Sequence, residues 1–183
     1  MLKRLLTIFV ALIGIFMATS ALSADKENTL YLELPAGRVV IELRPDLAPN
    51  HVKRIKELVR QGFYDNLVFH RVIEGFMAQT GDPTGTGMGG SGKNINAEFS
   101  SVSHVRGILS MARASALNSA DSQFFIVLQD SPFLDGHYTV WGKVTSGMEF
   151  VDKIKKGDRA KNGEVQNPDK IIAMRVAADV DAK

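Results

Sequence analysis

Apolar and polar residues alternate from residue 29 to 43: Leu30, Leu32 and Leu34, then, past Pro35, Ala36 and Gly37, Val39, Ile41 and Leu43. A period of two places each set on one face of a pleated strand, so this stretch predicts a hairpin of half-buried strands. The period then changes. Over 46–61 the apolar residues Val52, Ile55, Leu58 and Val59 recur at helical spacing, Pro49 falls in the first turn and Gly62 follows. That is one amphipathic helix with a stop signal, and its Lys53, Arg54, Lys56 and Arg60 read as the solvated side.

Two short runs hinged at Glu74 and Gly75 predict a second pair of strands, which carries Val68, Arg71, Phe76, Met77 and Gln79. A basic side chain sharing a sheet face with Phe and Met can present apolar surface and one fixed cation to a ligand together. A lone strand Arg is also compatible with a solvated or salt-bridged surface residue, so the remaining chain has to decide. After it comes a glycine-rich loop, 82–96, with no apolar periodicity, and loops of that length in compact domains are usually functional or mobile. Strand signals return at 107–111, 123–128 and 139–144, and the run QFFIVL at 123–128 is apolar on both faces, as a fully buried strand would be. Residues 148–156 predict a short helix with Phe150, Val151 and Ile154 inward, 158–169 a polar loop, and 170–176 a closing strand. Eight short strands and two helices in mostly antiparallel order predict a mainly β fold. The expected form is a closed eight-stranded antiparallel β-barrel capped by two α-helices, because closure removes exposed strand edges.

The first residues change the picture of where this domain works. Lys3 and Arg4 precede an uncharged apolar run from Leu5 to about Ala18, and small residues follow to Ala24. This is the three-part form of a secretory signal peptide; a retained anchor wants about 20 continuous apolar residues, and the run here is shorter. The expected organisation is a signal peptide at 1–24 and one domain at 25–183, in the periplasm, with no membrane attachment after cleavage. Cleavage after Ala21, Ser23 or Ala24 fits equally. Loss of Lys3 and Arg4 takes 22 basic residues to 20 against 20 acidic ones, so the mature domain is formally neutral. A neutral chain without a basic block lacks the phosphate-directed electrostatics of a nucleic-acid binder. With no cysteine there is no disulfide framework, thiol nucleophile or thiolate metal site. A monomer is expected.

Three further chemistries fail on their residues. The segment from Gly87 to Lys93 has phosphate-loop spacing, but Asn94 stands where a hydroxyl should hold magnesium, and the following residues make a poor helix. His51, His70, His104 and His137 show no i, i+4 pair and no accompanying carboxylate cluster, so no metal is expected. Ser91 in GGSG lacks the strand-to-helix setting of a nucleophile elbow.

What remains is a set of segments: FHRVIEGFMAQTGD at 69–82, GILSMARA at 107–114, NSADSQFFIVL at 118–128, and FLDGHYTVWGKVTSGMEFVDKI at 133–154. In this order they resemble the cyclophilin family of peptidyl-prolyl cis-trans isomerases, from about Thr29 to Val176, and with the leader the chain resembles the periplasmic bacterial branch. The resemblance implies that Arg71 is the catalytic guanidinium with Gln79 beside it and His70 flanking the site. It implies an apolar pocket for the substrate proline ring from Phe76, Met77, Phe125 and Leu134. Ala112, Gln123 and the backbone of Arg113 match the groove for an extended peptide. Phe133 stands where animal members usually carry Trp, Tyr138 where they carry His, and Arg113 where they carry Asn. The Trp difference implies weak cyclosporin binding.

The chemistry open to these residues agrees. Rotating a peptide bond crosses about 18 to 20 kcal/mol of lost resonance without breaking any bond, and X-Pro bonds populate both isomers. A catalyst has only to hold the ring, leave the acyl side free and favour the twisted state. No nucleophile, acid-base pair or cofactor is needed. The expected partners are proline-containing polypeptides, during folding of exported proteins. Two other readings stay open at this level: a proline-peptide binding module with incidental catalysis, and a holding chaperone for exposed apolar chain.

Overall fold

The computed structural model describes residues 26–180, so the signal-peptide segment expected at 1–24 lies outside the described residues. The hairpin is there: β1 (Thr29–Leu34) pairs antiparallel with β2 (Gly37–Leu43), with Leu34 opposite Gly37 at its tight end. The helix follows as α1 (Pro49–Arg60), burying Val52, Ile55, Leu58 and Val59. Ala48 offers no capping side chain at its start. The carboxylate of Glu98, 47 and 48 residues away, does that work instead, accepting the amides of Asn50 at 3.1 Å and His51 at 3.0 Å. An anion there satisfies two of the helix's free N–H groups and complements its dipole.

The remaining strands are β3 (Arg71–Ile73), β4 (Met77–Thr80), β5 (Ile108–Met111), β6 (Phe124–Val127), β7 (Val140–Ser146) and β8 (Ala173–Val176). Two short helices, α2 (Met148–Val151) and α3 (Ala177–Val180), sit at the ends of β7 and β8. The eight strands form one curled sheet in the order β3, β4, β6, β5, β7, β2, β1, β8, with antiparallel pairing throughout.

The expected closure is not what the pairing shows. The sheet is an open, curled half-barrel whose order ends on β3 and β8, with no ladder between them. The stretches just before these two strands do touch, through one bridge between Val68 and Lys170 and the amide of Asn66 on the Ile171 carbonyl. The closing strand starts at Ala173 rather than residue 170 because the preceding backbone serves two neighbours: Ile171 donates to the Leu67 carbonyl and Ile172 to that of Glu33. The second helix also ends earlier than expected. Lys155 gives its amide to the Asp169 carboxylate and Gly157 to the Val72 carbonyl, so the chain turns away after Val151.

Two apolar clusters lie on opposite faces of the same strands. The larger one fills the curl, with Leu30, Leu32, Val39, Ile41, Ala78, Leu109, Phe124, Ile126 and Trp141 packed under α1. Trp141 and Tyr64 meet Phe124 edge-on, at 5.2 and 5.5 Å between ring centroids. The smaller cluster is Met77, Ile108, Phe125, Val127, Leu134 and Val140, on the outer face. Strand β6 therefore carries apolar residues at every position because one face serves the core and the other serves this second cluster. Among the described residues no helix is long and apolar enough to cross a membrane.

Candidate active site

Strand register assembles the site. On the outer face Arg71 of β3 lies opposite Gln79 of β4, Gln79 opposite Phe125 of β6, and Phe125 opposite Ser110 of β5. One row of the sheet thus runs cation, amide, aromatic, hydroxyl. The neighbouring row brings Ile73, Met77 and Val127 together. Alternation forces the arrangement, since residues two apart on one strand share a face.

Above these rows is a pocket of about 110 Å³ lined by Arg71, Phe76, Met77, Gln79, Ala112, Arg113, Phe125, Leu134 and Tyr138. Met77, Phe125 and Leu134 are buried, so its floor and one wall are dry and apolar. Tyr138 stands edge-on to Phe125, with ring centroids 5.7 Å apart. Leu134 comes from a 3-10 turn, Pro132–Leu134, which the sequence pattern did not disclose.

Arg71 is held from behind. Its Nε donates to the Asn162 carbonyl at 3.0 Å, Nη2 to the Asn162 side-chain oxygen at 3.0 Å, and Nη1 to Gln79 Oε1 at 3.1 Å. Nη1 also reaches Met77 Sδ at 3.9 Å. A guanidinium has five N–H donors in a rigid fork, so these bonds fix its plane and leave one Nη2 N–H without a protein partner. Burial lowers the Arg71 pKa, and the nearby Tyr138 opposes that change. Arginine starts so high that the group stays a cation. Gln79 passes the chain on: its Nε2 donates to Gln123 Oε1 at 2.9 Å, and Gln123 Nε2 donates to the carbonyls of Gly87 and Gly89 at 3.0 and 2.8 Å.

The glycine-rich loop is tied down by two carboxylates. Asp82 accepts the amide and hydroxyl of Thr84 at 2.7 and 2.8 Å and the amide of Gly87 at 2.6 Å. Burial pushes the Asp82 carboxyl up, but the Thr84, Gly89 and Gly87 donors together overcome that and hold it at about 2. Asp121 accepts the amides of Ser91, Gly92 and Lys93 at 3.0, 2.8 and 3.2 Å, together with the Ser91 hydroxyl. The phosphate-loop spacing at 87–93 is therefore a set of backbone donors already filled by the protein's own anion.

The expected site residues gather around one pocket and the clefts that adjoin it, apart from Phe133. Arg71, Gln79, Phe76, Met77, Ala112, Arg113, Phe125, Leu134 and Tyr138 line the one pocket, and Gln123 lines an adjoining cleft of about 340 Å³. His70 flanks the pocket in a neighbouring cleft that it lines with Arg71, Gln79, Gly85, Thr86 and Gly87. It is buried, neither ring nitrogen has a hydrogen-bond partner, and burial pushes its pKa down. Phe133 is 67% exposed and lies tilted against Phe76, with ring centroids 5.3 Å apart, without lining the pocket. Arg113 uses its side chain on its own surroundings, donating to the carbonyls of His137, Ala114 and Ser115 and lying 5.0 Å from the Tyr138 ring centroid.

Asn162 belongs to the polar stretch 158–169, where the residue pattern marks a loop and no site. A signal existed in the Asn-Gly pair at 162–163, which marks a turn with positive φ. Asn162 has φ 55° and Gly163 φ 81°, and a Cβ at Gly163 would collide with Ile73 and the Val72 carbonyl. The turn thus packs against β3 and aims two oxygens at the strand's arginine.

The chain matches the family described as cyclophilin type peptidyl-prolyl cis-trans isomerase over residues 29–176. It is 55% identical over 184 residues to a protein of Brucella suis described as a probable peptidyl-prolyl cis-trans isomerase, covering 93% of each chain. Peptidyl-prolyl cis-trans isomerase B of Bacillus subtilis is 46% identical over 142 residues, 76% of this chain and 99% of that one. Among solved structures, a cyclophilin type peptidyl-prolyl cis-trans isomerase of Cryptosporidium parvum, crystallised in the presence of the dipeptide Ala-Pro, superposes with a TM-score of 0.74. It is 33% identical, and the match covers 81% of this chain and 98% of that chain.

Proposed function

Because this chain belongs to the cyclophilin family and is a peptidyl-prolyl cis-trans isomerase, we propose the following division of labour in its pocket and a place of work outside the cytoplasm. The proline ring of an extended polypeptide enters the apolar pocket between Phe76, Met77, Phe125 and Leu134. The peptide backbone runs beside Ala112 and Arg113, and Gln123 holds the adjoining cleft open through its bonds to the glycine-rich loop.

The remaining Nη2 N–H of Arg71 faces the prolyl nitrogen. In the planar amide that nitrogen's lone pair is delocalised and accepts nothing; as the bond twists, the lone pair localises and becomes an acceptor. The guanidinium therefore binds the twisted state better than either planar isomer, which is how a barrier of about 18 to 20 kcal/mol is lowered without covalent chemistry. Gln79 fixes the guanidinium and takes no part in bond rotation. His70 shapes the neighbouring cleft, and Tyr138 the pocket edge.

The observation that carries this reading is the single sheet row in which a three-point-anchored guanidinium stands beside a dry pocket sized for a small ring. The three-part leader at 1–24 supports export to the periplasm and a role in folding exported proteins, with the domain acting as a monomer. Phe133, exposed where a Trp would offer an indole N–H, supports weak cyclosporin binding.

Exchange NMR on an Ala-Pro peptide, which needs no coupled protease, tests the chemistry. Wild type should exchange the two isomers rapidly at catalytic concentrations, and the reading falls if Arg71→Ala does so equally well. Cell fractionation with the mass of the mature N-terminus tests export, which fails if the protein stays cytoplasmic with Met1 or Leu2 at its start.

A further inference from the structure

Behind the pocket lies a buried polar cluster that isomerisation as described does not use. His104, 1% exposed, makes four hydrogen bonds to two different parts of the site. Its amide and Nδ1 both engage Asp135 Oδ1, at 2.7 and 2.9 Å. Its carbonyl accepts the Ser131 amide at 2.9 Å. Its Nε2 meets the hydroxyl of Ser110 at 2.9 Å. The ring also lies nearly parallel to Phe125, at 24° with 6.4 Å between centroids.

Ser131 and Asp135 bracket the 3-10 turn that carries Phe133 and Leu134, the pocket wall. Ser110 is the cross-strand partner of Phe125, the pocket floor. One side chain is therefore bonded to wall and floor at once. An ionised carboxylate only accepts, so Nδ1 is the donor to Asp135, and in the neutral ring Nε2 accepts the Ser110 hydroxyl. The order serine, histidine, aspartate has the connectivity of a hydrolytic triad, but Ser110 is wholly buried beside Phe125, its cross-strand partner, where a nucleophile would have to be exposed.

We infer that His104 is a positioning residue for the isomerase, whose bonds to Asp135 and Ser131 on one side and Ser110 on the other set the gap between Leu134 and Phe125 that receives the proline ring. This rests on the assignment of that pocket to the ring. The ring occupies the gap in both planar and twisted states, so loss of the clamp should weaken binding of substrate and transition state alike. That signature is a higher Kd with an unchanged saturated rate.

The test uses Asp135, whose partly exposed side chain allows substitution without emptying the core. Kd for a short Ala-Pro peptide would be measured by NMR titration and the exchange rate at saturation by exchange NMR. For Asp135→Ala the expected result is a Kd raised roughly tenfold, from loss of charged hydrogen bonds, with the saturated rate within about twofold of wild type. Asp135→Asn keeps an acceptor oxygen in place and should recover most of the affinity. The inference is overturned by an unchanged Kd in Asp135→Ala, by a saturated rate that falls with it, or by an affinity that Asp135→Asn does not recover. A wild-type chain that fails to exchange the peptide would instead bring down the reading of the pocket itself.

Discussion

Arg71→Lys separates charge from geometry at the centre of the site. The guanidinium is held by three bonds to oxygen, from Nε and Nη2 to Asn162 and from Nη1 to Gln79, and by the Nη1 contact with Met77 Sδ, leaving one Nη2 N–H of the same rigid plane free. Lysine keeps the positive charge but has one nitrogen on a flexible stem. That nitrogen can satisfy Asn162 and Gln79 or point at the prolyl nitrogen, but it cannot do both in a fixed geometry. Removing one preorganised donor from a transition state costs about 10² to 10³ in rate. We expect Arg71→Ala to lose that much in kcat/KM and Arg71→Lys to lose nearly as much, with the loss in kcat rather than in binding. Exchange NMR at saturating Ala-Pro peptide reads the rate directly, and a thermal melt confirms that the fold is intact. Arg71→Lys within a few-fold of wild type would show that a mobile charge suffices, and the argument from the anchored fork would be wrong.

The other expectations follow from neighbouring contacts. Phe125→Ala should lower turnover by opening the ring site, and since Phe125 is nearly buried it should also cost about 3 kcal/mol or more of stability, measurable by urea unfolding; Phe133→Trp should chiefly tighten cyclosporin binding in calorimetry and leave turnover alone. Activity should be nearly flat between about pH 6 and 8 and indifferent to EDTA, because Arg71 stays charged and burial keeps the His70 pKa below its ordinary 6.5; a steep limb abolished by His70→Gln would implicate proton transfer. Asp82 gives an acid limb. Above its ordinary 3.8 the carboxylate is ionised in both folded and unfolded chains and its stabilisation is complete; between 3.8 and about 2 the unfolded chain takes up a proton that the native one refuses, so stability falls by about 2 kcal/mol as pH drops. Urea unfolding across that range should show the limb in wild type and lose it in Asp82→Asn, which should be less stable at pH 7.

Much of this was legible in the chain. Alternation at 29–43 predicts the first hairpin, and helical spacing at 46–61 predicts α1, because local periods of two and about 3.6 residues record which side of an element is buried. The run QFFIVL announced a strand buried on both faces. The segments around Arg71, Ala112, Phe125 and Leu134 marked the family and nine residues that line one pocket. What lay beyond reach was everything made by partners far apart in the chain. Arg71 and Asn162 are separated by 91 residues, Gln79 and Gln123 by 44, and His104 and Asp135 by 31. Glu98 caps a helix 47 residues before it, and β3 does not pair with β8 because its outer edge is bonded through Val72 to Gly157 and Gly163 instead. A residue's own spacing reports its face, but the identity of the group across from it depends on sheet order and curl, and those are set by the packing of the whole core.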